Sequence, residues 1–88
     1  MATITLPARI TMGEARATLA ALQPQLQAAD DLVIDASALV DLDSAAVAVL
    51  LDCQRQAQAR GKALRLSGAP PKLGQLARLY GVGDLLGL

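Results

Sequence analysis

The residues best suited to chemistry are three aspartates that follow a short apolar run. Asp35 comes directly after the apolar residues 32–34, and Asp41 and Asp43 follow a few residues later. Open α/β folds often bind ligands near the carboxyl end of a buried strand, and carboxylates placed there can hold Mg²⁺. Their spacing specifies no metal cage, and a negative charge at Asp43 is also favoured by the helix that starts after it. A metal site, serving an enzyme or a Mg²⁺-dependent phosphoacceptor, and a purely structural role are therefore alternative interpretations.

Ser44 follows these aspartates and has the side chain of a helix N-cap. Its hydroxyl can accept a hydrogen bond from the first turn of a helix, which stabilises the helix by about 1 kcal/mol. A hydroxyl beside two carboxylates can also contact a partner or accept a phosphate. We therefore predict that Ser44 is the N-cap of a helix, and a functional role is compatible with that position.

The composition removes most designs for a catalytic site. The chain has 88 residues, no histidine and one cysteine, Cys53. Without histidine there are no Ser-His or Cys-His nucleophile pairs and no imidazole metal ligands. A lone cysteine forms no internal disulfide, which is typical of a reducing compartment. The sequence therefore predicts one small domain over residues 1–88 that is not an enzyme and has no cofactor.

Charge and hydropathy also limit the partners. Eight basic residues balance eight acidic ones without forming a basic stripe, and Tyr80 is the only aromatic residue, which argues against nucleic-acid binding. The longest apolar run, 45–51, has seven residues, whereas a span of the bilayer needs about 20. The first ten residues lack the basic and apolar regions of a signal peptide. We therefore expect a cytoplasmic protein without direct membrane insertion.

The elements that must position Asp43 and Ser44 alternate between strand and helix patterns. Alternation or apolar runs predict strands at 3–6, 9–11, 32–35 and 63–67. Helices are predicted after a capping box at 11–14, from Ser44 to Arg60, and from Pro71 to Gly81 with Tyr80 on the apolar face. Pro24 predicts a kink or break near Leu22. The run 32–34 is typical of a strand covered on both faces.

The helix that begins at Ser44 has two stripes. One is apolar and predicted to face the core; it consists of Ala46, Leu50, Cys53 and Ala57. The other lies about 150° around the helix, where solvent is expected; it consists of Ser44, Ala48, Leu51 and Arg55. Neighbouring elements could cover the apolar start of this helix, including Val47 and Val49. Alternatively, the start is an apolar partner surface with a polar rim.

Two segments around this helix start resemble a known family. The run LVIDAS at 32–37, followed by LDSAAVAVLL at 42–51, is similar to the signature of STAS domains, which are named for sulfate transporters and anti-sigma factor antagonists. In that family a strand leads to a short Asp-Ser/Thr motif at a helix start, and the order of strands and helices agrees over essentially the whole chain. The resemblance implies a single α/β STAS domain with a small mixed β-sheet and about three helices packed mainly on one side.

Two branches of the family imply different functions. In anti-sigma factor antagonists, the residue after the motif's first Ser is a Ser that a partner kinase phosphorylates; that position is Ala45 here. The MlaB branch comprises small subunits of the bacterial ABC transporter that maintains outer-membrane lipid asymmetry. This chain resembles MlaB proteins in length, in Asp43-Ser44 and in the segment KLGQLARLY at 72–80.

The MlaB resemblance implies a noncatalytic subunit that supports a transporter ATPase. In that branch the motif hydroxyl and the following helix lie against the ATPase, MlaF, within a complex that includes a permease. A MlaF-like ATPase is then the expected partner, and the protein would lie at the inner membrane through this complex. The implied partner-binding residues are Asp43, Ser44, Ala45, Ala48, Leu51 and Arg55. An anti-sigma factor antagonist or related signalling protein is the alternative.

Overall fold

Strands and helices follow one another in nearly the predicted order. The computed structural model describes residues 2–28 and 30–88. The strands are β1 (Ala2–Thr5), β2 (Arg9–Ile10), β3 (Leu32–Asp35), β4 (Asp41–Leu42) and β5 (Leu64–Ser67). The helices are α1 (Ala15–Ala28), α2 (Ser44–Ala59), α3 (Pro71–Leu79) and α4 (Gly83–Leu86). The α/β class is thus confirmed, with β4 and α4 as additions.

The main sheet has the order β1-β3-β5, and β2 pairs with β4 in a second, two-stranded sheet. All of these pairings are parallel, where the resemblance implied a mixed sheet. Ile4, Ile34 and Leu66 are in register and point into the core side. Thr3, Val33 and Arg65 lie in register on the opposite face, which the helices leave open. Val33 is only half-buried, so the prediction that β3 is covered on both faces is wrong.

Helix α1 begins where the capping motif predicts, but of the two reciprocal bonds to backbone N–H groups only the one from Thr11 N–H to Glu14 forms. The Glu14 carboxylate accepts hydrogen bonds from the Thr11 backbone N–H at 3.2 Å and the Thr11 hydroxyl at 2.7 Å. These bonds, with the hydroxyl bond foremost, lower the pKa of Glu14 below its ordinary value. The helix then continues through Pro24, so of the predicted kink or break the break is wrong, and a kink stays a prediction. Proline has no backbone N–H, so the Ala20 carbonyl lacks its usual helical hydrogen bond. Because Pro24 is exposed, water can bond to that carbonyl instead.

Helix α2 is the centre of the helical layer and packs against the other three helices. Its predicted core stripe is confirmed: Ala46, Leu50, Cys53 and Ala57 are all buried. Burial raises the pKa of the Cys53 thiol to about 11, and the neighbouring Asp52 carboxylate adds to this shift. The side of α2 away from Cys53 is therefore where a functional surface can lie.

The chain after α2 closes the domain. Gly61 ends α2 in the left-handed conformation, and Pro71 occupies the first turn of α3, both as predicted. Tyr80, however, is 53% exposed, so its predicted place on the buried face of α3 is wrong. Tyr80 is the C-cap, one residue beyond the end of α3, so its side chain no longer follows the apolar face of the helix.

Candidate functional site

The start of α2 is fixed by Asp43 and not by Ser44. Asp43 has extended backbone angles, φ −136° and ψ −163°, and its Oδ1 accepts the Ala45 N–H at 2.8 Å. Its Oδ2 accepts the Met12 N–H at 3.2 Å. Ser44 is the first helical residue, so the prediction that it is the N-cap is wrong. The cap falls one residue earlier because Asp43 is the last residue with non-helical angles.

Because Asp43 is the N-cap, the Ser44 hydroxyl does not cap the helix. Ser44 is exposed, and among the residues that the structure describes its hydroxyl has no hydrogen-bond partner. A hydroxyl with both donor and acceptor capacity can therefore meet a partner molecule without breaking a bond inside the domain.

Each of the two explanations for the apolar start of α2 holds for some of its residues. Val47 and Val49 are only 3% and 4% exposed, so neighbouring elements cover them. Ala45 is also buried. Ala48, in contrast, is exposed and Leu51 is half-buried. Ser44, Ala48 and Leu51 thus form a ridge, which we call the Ser44 ridge.

Arg55 continues the ridge by one turn. Its side chain is 76% exposed, and Nη2 donates to Asp52 Oδ1 at 3.0 Å on the same helix. Such an exposed pair contributes less than about 1 kcal/mol to stability. Arg55 can therefore turn toward a partner at little cost to the fold.

Shallow grooves lie on both sides of the Ser44 ridge. The α1–α2 groove has a volume of about 430 Å³. Its lining consists of Met12, Ala15, Arg16, Leu19, Ser44, Ala45, Ala48 and Val49. The α2–α3 groove has a volume of about 350 Å³ and is lined by Ser44, Val47, Ala48, Leu51 and Tyr80. A larger groove of about 530 Å³ between β1 and α1 contains none of the predicted partner-binding residues.

Sequence reasoning missed the parts of these grooves that other elements supply. Met12 is 77% exposed and lines the α1–α2 groove, and its backbone N–H donates to the Asp43 carboxylate. Arg16 and Tyr80 come from α1 and from the end of α3. For Met12, the sequence offered one indication of a surface position, an apolar residue inside the capping box at 11–14. No sequence pattern placed Arg16 or Tyr80 next to Ser44.

The comparison with known families decides how this arrangement is to be classified. A family model described as the Mlab, STAS domain matches residues 1–87. The chain belongs to this STAS family. The resemblance seen in residues 32–37 and 42–51 is thereby confirmed.

A solved structure shares the STAS fold. The structure of the anti-sigma factor antagonist SpoIIAA in its unphosphorylated form is similar with a TM-score of 0.75 and 18% sequence identity. The match covers 94% of this chain and 74% of that chain. Among curated proteins, no significant match is found.

The three aspartates of this STAS domain are engaged separately. The Ser37 side chain and backbone N–H, the latter at 2.9 Å, lower the pKa of Asp35. Asp41 lies 3.5 Å from the Arg9 guanidinium, and Asp43 caps α2. Within residues 2–28 and 30–88, no three carboxylates or thiols lie where one metal ion could join them. The structure thus gives each aspartate a local partner and does not assemble the metal cluster considered above.

The same part of the chain also lacks a membrane-crossing helix. Of the four described helices, α2 is the longest, and none is long and apolar enough to cross a bilayer.

Proposed function

We propose that this STAS domain is a noncatalytic subunit that binds the ATPase of a bacterial ABC transporter, one that moves phospholipids between membranes and maintains outer-membrane lipid asymmetry. The observation that carries the proposal is the Ser44 ridge, whose hydroxyl and apolar side chains are open to a partner. The match to the Mlab family model supports the same choice within the STAS family.

The chemistry of the Ser44 ridge suits a protein partner. Ala48 is small, so a partner can approach the α2 backbone closely, and Leu51 adds half-buried apolar surface. Ser44 supplies a polar contact and Arg55 a mobile charge at the rim. An apolar centre with a polar rim is the usual anatomy of a protein interface. In this proposal the domain lies in the cytoplasm, at the inner membrane through its complex with the ATPase and a permease.

The direct test is co-purification of this STAS domain with an ABC transporter ATPase from the same organism. Ser44→Arg and Leu51→Glu place a bulky or charged group on the ridge, and we expect each to abolish co-purification. Circular dichroism and thermal melting should show a folded domain, since both side chains are at least partly exposed. Leu85→Glu is the matched control, because Leu85 is 54% exposed on α4 outside both ridge grooves. Retained binding in both ridge variants would contradict the proposal.

The signalling alternative has its own test. Ala45 stands where the anti-sigma factor antagonists carry the phosphorylated Ser, so any phosphate would have to be accepted elsewhere. Ser44 is exposed at the start of α2, where a negative charge is electrostatically favoured. Incubation with a serine kinase from the same organism, followed by mass spectrometry, distinguishes the two functions. Stable phosphate on Ser44 would favour the signalling role.

A further inference from the structure

The α1–α2 groove is lined by one charged residue, Arg16, and no described acidic side chain pairs with it. Arg16 is the only charged residue of α1, and the first two turns of α2 carry no charge. The other lining side chains are apolar except for the Ser44 hydroxyl. In the described ranges 2–28 and 30–88, Arg16 makes no hydrogen bond and no ion pair. The groove is therefore an apolar surface with one uncompensated positive charge.

The carboxylates that lie close in sequence to the groove residues, Glu14 and Asp43, are committed to other groups. Glu14 accepts from Arg9 at 3.0 Å and also holds the Thr11 N–H and hydroxyl. Asp43 holds the backbone N–H groups of Met12 and Ala45. A carboxylate from another molecule can therefore pair with the exposed Arg16 without breaking a bond inside the domain.

The walls of the groove favour a helix over an extended peptide. They are the sides of α1 and α2, whose backbone donors and acceptors are already used within each helix. An extended segment would bring unpaired backbone groups into an apolar groove, whereas a helix satisfies its own. A third helix can also pack its side chains between those of two adjacent helices.

From these observations we infer that the α1–α2 groove receives an amphipathic helix of the transporter ATPase, with its apolar face on Met12, Leu19 and Ala48 and an acidic side chain paired with Arg16. This inference rests on the proposed function, and it names the chemistry of the partner segment. The groove then extends the contact from the Ser44 ridge onto α1.

The first experiment changes the charge at the groove. Arg16→Glu places a carboxylate opposite the partner's carboxylate and should raise the Kd for the ATPase about tenfold or more, whereas Arg16→Gln should raise it only a few-fold. The Arg16→Gln complex should also lose part of the wild-type salt dependence. Arg65→Glu is the matched control, because it makes the same change in net charge on the open face of the sheet. It should leave the Kd within about twofold.

The second experiment identifies the occupant. A photo-crosslinking residue at position 12, which is exposed at the groove, should capture a helical ATPase segment that contains an acidic residue. Replacing that acidic residue with Arg should restore binding to Arg16→Glu. Capture of a segment without an acidic residue, or failure of this rescue, would overturn the inference.

The outcomes separate this inference from the proposed function. Equal binding by Arg16→Glu and Arg65→Glu, with binding lost in Leu51→Glu, would refute the groove contact and leave the ATPase partner in place. Absence of binding by the wild-type domain would refute both. Binding of the isolated domain to vesicles of anionic phospholipid, lost in Arg16→Glu but not in Arg65→Glu, would assign the groove to lipid and overturn the helix.

Discussion

The Asp43 carboxylate joins two parts of the chain that are far apart in sequence. One oxygen caps α2 through the Ala45 N–H, and the other holds Met12 in the turn before α1. Both bonds are to backbone donors that would otherwise lack a partner inside the domain. Asp43 therefore links the start of the Ser44 ridge to the turn before α1.

Replacement of Asp43 should destabilise the domain more than replacement of Ser44. Asp43→Ala removes the cap and the Met12 bond, so we expect the free energy of unfolding to fall by about 1 to 2 kcal/mol. Ser44→Ala removes an exposed hydroxyl without a partner, and the loss should stay below about 0.5 kcal/mol. Urea unfolding followed by circular dichroism measures both. Asp43→Asn, which keeps a capping oxygen, should retain most of the stability, and an equal loss in Ser44→Ala and Asp43→Ala would contradict the cap assignment.

Gly61 and Gly68 share a backbone conformation but have different surroundings. Their φ values are +67° and +66°. A Cβ at Gly61 would meet open space, whereas one at Gly68 would lie 2.9 Å from Ser37 Cβ and 3.2 Å from Asp35 Oδ1. The loop after β5 thus approaches the loop after β3 so closely that only glycine fits.

This pair of glycines separates backbone strain from steric crowding. Gly61→Ala should cost about 1 kcal/mol, the usual cost of a left-handed alanine. Gly68→Ala should cost about 1 to 3 kcal/mol more, because the added methyl group forces Ser37 or its backbone to move. Chemical unfolding of the two variants measures the difference. Equal losses would show that the contact between the two loops is loose.

At the scale of elements, packing outweighs local preference in α1. An interior proline costs about 3 kcal/mol, and on that ground the sequence predicts a kink or break near Leu22. Leu22 and Leu26 lie on either side of Pro24, and both are buried. Their burial contributes roughly 1.5 to 3 kcal/mol each, which is enough to offset the cost of the proline. The sequence shows both the proline, which favours a break, and the leucine stripe, which favours a continuous helix. Only the packing of α1 against α2 decides between these two outcomes.

Removal of this proline should stabilise the domain. Pro24→Ala restores a backbone N–H that can bond to the Ala20 carbonyl, which is worth up to about 3 kcal/mol, and the looser unfolded chain offsets up to about 1 kcal/mol. We therefore expect the free energy of unfolding to rise by about 2 kcal/mol. Gln25→Ala, at the next exposed position of α1, should change it by less than about 0.5 kcal/mol. A lower stability for Pro24→Ala would mean that Pro24 stabilises the folded domain at this position.

The second sheet shows a limit of reading elements from sequence. The strand predicted at 9–11 corresponds to β2, but its partner β4 has only two residues, too few for a periodic pattern. They form because Ile10 and Leu42 lie in register and are both buried. This pair brings the loop before α2 against the chain before α1, and so it places Asp43 next to Met12. An interaction between residues so far apart in sequence leaves no local signal.

At the scale of the whole molecule, the core stripe and the solvent-facing stripe of α2 could be predicted, whereas the grooves beside them could not. The stripe of Leu50 and Cys53 follows from helical periodicity, which is a local property. Val49 and Ala48 are adjacent and equally apolar in pattern, yet α1 and its neighbours cover one and leave the other exposed. The STAS motif located the Ser44 helix start, but the grooves beside it depend on where α1 and the end of α3 pack.

Cys53 offers a measurement of how tightly this core is held. Its thiol is fully buried on α2, and its pKa of about 11 keeps it protonated at neutral pH. A thiol reagent should therefore react only after the domain opens, at a rate set by the population of the unfolded state. Leu50→Ala should cost about 2 to 5 kcal/mol and raise that rate by roughly 30-fold to several thousand-fold.

The control for this experiment is an exposed position of similar chemistry. Leu85→Ala removes a side chain that is largely in solvent on α4, so the labelling rate should change by no more than about twofold. Labelling can be followed by absorbance of the released aromatic thiolate at pH 8, with urea unfolding of the same variants as the independent measure of stability. Rapid labelling of the native domain that does not vary with stability would show that α2 opens locally. In that case the helix that carries the Ser44 ridge would move separately from the rest of the core, and a partner would have to stabilise it on binding.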